Sequence, residues 1–176
     1  VPLLGLPPMN DVIPAITARR PWPTLITSGH KNVENRKWQP RVRFGSHAGR
    51  VYLGPLWIHA GDGWDSSAVD YAAHRGVEIT RHAGAHPVGI LALAHIVAVC
   101  STRFQWPIAD CDCGPWAMIS HHHWKLADVE ILDEPIQCRG RLGLWYPDPE
   151  LKDRLTTAPR HPGGGGDLLV AIGAAR

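Results

Sequence analysis

Four residues near the start of the chain have side chains that could do chemistry together: Trp22, Lys31, Glu34 and Arg36. A lysine ammonium is a point charge suited to a phosphate or carbonyl oxygen, and a carboxylate can accept from an exocyclic amine such as cytosine N4. Glu34 and Arg36 are two apart, so on a strand they share a face. Lys31 and Glu34 are three apart and converge only if the chain turns before them, which Gly29 permits. A converged pair has two readings. It is either a ligand contact in a cleft or a structural ion pair in which Glu34 caps backbone or holds Arg36. The surroundings are basic: Arg19, Arg20, Lys31, Arg36, Lys37, Arg41, Arg43 and Arg50 stand against one acid, Glu34. That segment carries +7 in a chain of net +2, which leaves −5 for the remainder. A local basic patch on a near-neutral protein is an electrostatic footprint for a polyanion. Fourteen of the eighteen cations are Arg, which binds phosphate bidentately and stacks on bases.

The elements that must position these residues can be read in outline. Residues 1–14 carry four prolines and predict an irregular arm; residues 15–176 form the domain proper. The first strand falls in residues 13–20. Residues 21–29 predict a short helix, with prolines in its first turn and Gly29 ending it. Residues 30–38 alternate as a strand, with Glu34, Arg36 and Trp38 on one face. A strand is expected over residues 50–60. A helix follows over residues 62–76, capped by Asp65 or Ser66 and ended by Gly76. Residues 87–99 are an almost unbroken apolar strand, in which His95 reads as a core residue. A second long strand is expected over residues 116–131 and a loop over 132–140. After a short apolar piece at 142–145 come a helix at 149–158, a glycine turn at 162–166 and a final strand at 168–172. There is no regular strand–helix alternation, so parallel βαβ winding is not indicated. The fold class is α+β, a mixed β-barrel flanked by short helices.

Three ordered stretches carry a family resemblance. The run Pro21-Trp-Pro-Thr-Leu-Ile-Thr-Ser-Gly-His-Lys-Asn-Val-Glu-Asn-Arg-Lys-Trp38 resembles the opening of ASCH domains, members of the PUA-like superfamily. The family's G-x-K-x-x-E signature stands here as Gly29, Lys31 and Glu34. Pro55-Leu-Trp-Ile-His-Ala-Gly61 is similar to the family's following strand. Pro135-Ile-Gln-Cys-Arg-Gly-Arg-Leu-Gly-Leu-Trp145 is similar to its late Cys-Arg-Gly element. The resemblance implies a small PUA-like barrel whose mouth, around Lys31 and Glu34, holds RNA, single-stranded nucleic acid or a modified nucleoside. Arg139, inside that Cys-Arg-Gly element, has two readings: a phosphate anchor, or a buried arginine tying a loop to backbone carbonyls. A bacterial branch of similar proteins hydrolyses N4-acetylcytidine with a Lys followed three residues on by a Thr. Here Glu34 stands at that position, so the resemblance implies binding first. The alternative is a hydrolase of RNA or of an acylated cytidine, with Lys31, Glu34 and His59 as the candidate catalytic groups.

Six of the eight tryptophans (Trp22, Trp38, Trp57, Trp64, Trp116 and Trp124) supply aromatic surface for stacking on flipped or single-stranded bases. Trp22 and Trp116 are the ones expected at the ligand, because each adjoins Pro or Gly elements. The expected nucleic-acid contacts are therefore Arg19, Arg20, Trp22, Lys31, Arg36, Lys37, Arg41, Arg43, Trp116 and Arg139. Cys111 and Cys113, with His121, His122 and His123 nearby, raise a zinc alternative. C-x-C is a poorer chelate than C-x2–4-C and no second cysteine pair follows, so no metal site and no cofactor are expected. Hydrophobic residues make up 44% of the chain, enough for a core, yet no apolar run reaches the ~20 residues of a bilayer span. The opening residues have no export-signal pattern and the four cysteines read as reduced thiols, so the expected setting is cytoplasmic, with no membrane partner. Nothing in the pattern sets an oligomeric state.

Overall fold

The unbroken apolar run after Pro87 becomes the spine of a sheet. In a computed structural model, which describes residues 12–82, 84–101 and 111–163, β4 (Gly89–Cys100) pairs antiparallel with β3 (Gly54–Trp64) on one side and β5 (His122–Ile136) on the other. Both faces of β4 are covered over Gly89–Ala94, which is why that part of its sequence does not alternate. Ala92, Ala94 and Ile96 join Ile16, Ile26, Leu56, Ile58 and Trp124 in one cluster. Ile90 and Leu93 join Trp57, Trp145, Leu151 and Leu155 in another. Helix α1 (Trp22–Thr27) contributes Ile26 to the first cluster, and α3 (Pro149–Thr157) covers the second with Leu151 and Leu155. The remaining elements are β1 (Ala15–Arg20), β2 (Val33–Arg36), α2 (Ser67–Ala73), β6 (Leu144–Trp145) and β7 (Arg160–Pro162).

Among the described residues the fold is therefore α+β, with a mixed seven-stranded sheet and a few short helices. The order is β2-β5-β4-β3-β1-β6, with β7 on β5. These pairings do not close the sheet on itself. Its β2 end nevertheless curls back to β1, where the Arg36 guanidinium donates to the Thr17 carbonyl at 2.9 Å. A side chain bridges where a closed ladder would have backbone bonds.

Several expectations need correction. β1 and β3 pair in parallel, although the sequence has no βαβ rhythm; a single crossover through α1 and β2 produces this without any repeat. β5 begins at His122, not at Trp116, and runs through the expected loop to Ile136. Leu132 and Ile136 bury against the α3 cluster, and that packing overrides the polar Asp133-Glu134-Pro135 signal. β2 is only four residues long, and α2 is shorter than the stretch expected for it. Ser66 precedes α2, but its side chain makes no cap; the Asp65 carboxylate instead accepts from the Ser67 N–H at 3.1 Å. The glycine turn beyond residue 163, the strand expected at 168–172 and most of the N-terminal arm lie outside the described residues. No helix among the described residues is long and apolar enough to cross a membrane.

Candidate functional site

The site is assembled where α1 hands over to β2. All six residues of α1 are buried, and its first turn carries Pro23, whose missing N–H has no partner to lose there. Gly29 ends it at φ +78°, the left-handed conformation that favours glycine. The Lys31 N–H then donates back to the Leu25 carbonyl at 2.8 Å. Lys31 thus precedes β2, whose strand parity does not apply to it, and its side chain can meet that of Glu34.

They form a buried ion triad. Lys31 Nζ lies 2.7 Å from Glu34 Oε2, and Arg36 Nε donates to Glu34 Oε1 at 2.9 Å. Lys31 is 2% exposed and Glu34 5%, so this pair is not a surface contact. Burial lowers the Lys31 ammonium below its ordinary value, and the Glu34 charge offsets that only in part. Burial would by itself raise the Glu34 carboxyl. The Lys31 ammonium and the Arg36 guanidinium outweigh it and hold Glu34 below the usual carboxylate value. Glu34 is consequently an ionised acceptor set into the protein. The Trp22 ring lies 5.5 Å from the ammonium.

In front of Glu34 opens a cleft of about 800 Å³, within the range of small-ligand pockets. Its walls include Trp22, Glu34, Asn35 and Arg36 from the first stretch. His59 and Gly61 come from β3, and residues 138–143 from the loop after β5. Four arginines (Arg19, Arg36, Arg139, Arg141) and three carboxylates (Glu34, Asp62, Asp65) line it. Such a wall suits a ligand with both anionic and amine groups better than a long uniform polyanion.

The cleft's far wall is fixed by a close approach. His59 Nε2 donates to the Cys138 carbonyl at 3.1 Å; a carbonyl can only accept, so this nitrogen carries the proton. His59 Nδ1 is then a bare acceptor, buried without a partner. A Cβ at Gly140 would stand 2.6 Å from His59 Cε1 and 2.8 Å from Nδ1, so only glycine fits against this ring. Burial lowers the His59 pKa, which keeps the imidazole neutral near neutral pH.

The expected contact residues divide into two groups. Arg19, Trp22, Glu34, Arg36, His59 and Arg139 are brought together on the cleft. Lys31 stands behind Glu34, off the wall. The Arg20 guanidinium is spent on the His86 and Asp62 carbonyls. Lys37 donates to the Ser120 carbonyl, Arg41 to the Gly49 carbonyl and Gln39, and Arg43 lies beside Phe44; none of the three lines the cleft. Trp116 is 5% exposed and packs with Trp22, Val33, Ala68 and Cys113, so it is a core residue. Its carbonyl accepts from the Asn35 amide at 2.9 Å, and Asn35 in turn accepts from the Met118 N–H at 2.9 Å. Asn35, Asp62, Asp65 and Arg141 line the cleft without being among the expected contacts. Arg141 is two residues from Arg139 across Gly140, the one sequence signal that could have found it. Trp22 is 9% exposed and its indole N–H donates to Asp65 at 2.8 Å, so little of its ring is open for stacking.

Three of the four cysteines, expected as reduced thiols with no metal site, are brought together with a histidine. Cys100, Cys111, Cys113 and His123 form one group, whereas Cys138 lies in the cleft loop. His121 and His122 are outside the group: His121 Nδ1 is 2.8 Å from the Ile119 carbonyl and His122 Nδ1 is 3.0 Å from Ser101 Oγ. No protein-family model matches the chain, and no curated protein matches it in sequence.

Proposed function

We propose that this chain is a nucleic-acid-binding domain of the ASCH type, a PUA-like curled barrel that holds RNA or a single modified nucleotide in the cleft before Glu34. The observation that carries this reading is one of placement. The three stretches that resemble ASCH domains are far apart in the chain, yet all contribute to the wall of one cleft. In this reading Glu34, kept ionised by Lys31 and Arg36, accepts from an exocyclic amine. Arg19, Arg139 and Arg141 take phosphate at the rim. Lys31 acts from behind as the counter-charge. The mixed charge of the wall favours one splayed-out nucleotide over a continuous backbone track. Binding is preferred to hydrolysis because His59 presents neither nitrogen to a substrate: one is bonded to Cys138 and the other is enclosed beside Gly140.

The test is fluorescence anisotropy with single-stranded RNA, single-stranded DNA and a panel of modified nucleosides as competitors, over a salt series. R19A and R139A should each weaken binding and reduce the salt slope by about 1, while K152A on α3 leaves both unchanged. No binding to any of these ligands, or affinity that ignores salt and both arginines, refutes the proposal.

A further inference from the structure

We propose that Cys100, Cys111, Cys113 and His123 form a structural zinc site that fastens the ends of β4 and β5 to the segment carrying Cys111 and Cys113. The four donor atoms all lie within 4.8 Å of one another. Cys100 Sγ is 3.4 Å from Cys111 Sγ, and Cys111 Sγ is 3.2 Å from His123 Nδ1. A tetrahedral zinc with Zn–S of about 2.3 Å and Zn–N of about 2.0 Å needs donor separations of roughly 3.5–3.8 Å. The protein already holds its donors near that spacing.

The sheet itself builds half of the site. Cys100 and His123 are register partners across the β4–β5 ladder, so their side chains emerge together at one end of it. Cys111 and Cys113 approach from the chain that leads into β5. This is what the sequence spacing conceals: C-x-C alone is a poor chelate, but the ladder supplies the other two ligands. The histidine is oriented for the task. Its Nε2 lies 2.8 Å from the Met118 carbonyl, an acceptor only, so Nε2 carries the proton and Nδ1 turns a lone pair toward the thiols. Cys113 is 4% exposed and His123 2%, while Cys100 and Cys111 are half-buried, so the group sits at the edge of the core. Four protein donors leave no open position, which marks a structural and not a hydrolytic zinc. Three thiols give up protons to solvent on binding, the zinc remains divalent and no redox partner is needed.

The site reaches toward the cleft. Met118, whose carbonyl steadies His123, donates its N–H to Asn35 on the cleft wall. The proposal does not depend on what the cleft binds.

The experiment is metal analysis of the full chain, purified without added metal or chelator, together with cobalt reconstitution. About one zinc per chain is expected, released on titration of the thiols with an organomercurial. The cobalt-loaded protein should show thiolate charge-transfer bands and tetrahedral ligand-field bands. C138S changes the one cysteine outside the group and should keep the full zinc content, while C111S and H123N lose most of it. Where a variant fails to fold, the cobalt spectrum of the unaltered chain still decides. Less than about a tenth of a zinc per chain with no cobalt spectrum overturns the site. So does a chain mass two hydrogens light from a Cys100–Cys111 disulfide, or zinc retained undiminished by both C111S and H123N.

Discussion

Replacing Glu34 by Gln removes the carboxylate paired with the buried Lys31 ammonium, which lies 2.7 Å from it, and also the partner of Arg36 at 2.9 Å. Lys31 is 2% exposed, so water cannot take the carboxylate's place without opening α1 from β2. Removing one member of a buried pair costs about 3–5 kcal/mol, because the surviving charge is left uncompensated in a low-dielectric site. For a domain of this size that corresponds to a fall in Tm of about 6–20 °C. The double variant K31M/E34Q buries no unpaired ammonium, and its loss should fall short of the sum of the single variants by about 1–3 kcal/mol. Urea unfolding followed by tryptophan fluorescence measures all four proteins. If E34Q lies within about 1 kcal/mol of the unaltered chain, the triad is worth no more than a surface pair and the reasoning fails.

Other outcomes follow from the same structure. Glu34 titrates below its ordinary value of 4.5 when folded. Between that value and the lower folded one the unfolded chain binds more protons, so the stabilisation is complete above 4.5 and is lost as pH falls through the window. Urea midpoints against pH should show this loss, and E34Q should flatten it. G140A should cost about 1–3 kcal/mol by calorimetry, since its Cβ would meet the His59 ring at 2.6 Å; an unchanged Tm would mean that the 138–143 loop can part freely from β3. The Asp148 side chain accepts from the Leu151 N–H at 2.9 Å as the cap of α3. D148A should lower stability by about 1 kcal/mol in urea unfolding, and no loss would show that the helix is held by its apolar face alone.

Much of the fold was legible because it is local. Pro23 and Gly29 bracket α1, the apolar run marks β4, and Pro149 opens α3. These signals rest on backbone geometry and hydrogen bonding within a few residues. The extent of β5 was not legible, because whether Asp133, Glu134 and Pro135 form a strand depends on Leu132 and Ile136 finding the α3 cluster. Trp116 shows the same limit: adjoining Gly114 and Pro115 it is expected at the ligand, and only packing against Val33 and Trp22 makes it core.

The residue types at Glu34, Arg36, His59, Arg139 and the four cysteines were fixed by the sequence, and with them the kinds of chemistry available. Two outcomes were left to the tertiary structure. Glu34 became a buried, ionised acceptor because the turn at Gly29 put Lys31 behind it, and burial turns a weak pair into a strong constraint. Cys100 and His123 met because antiparallel register places residues side by side however far apart they lie along the chain. Side-chain chemistry is set residue by residue. Proximity and desolvation, which decide what that chemistry is worth, arise only when distant segments pack.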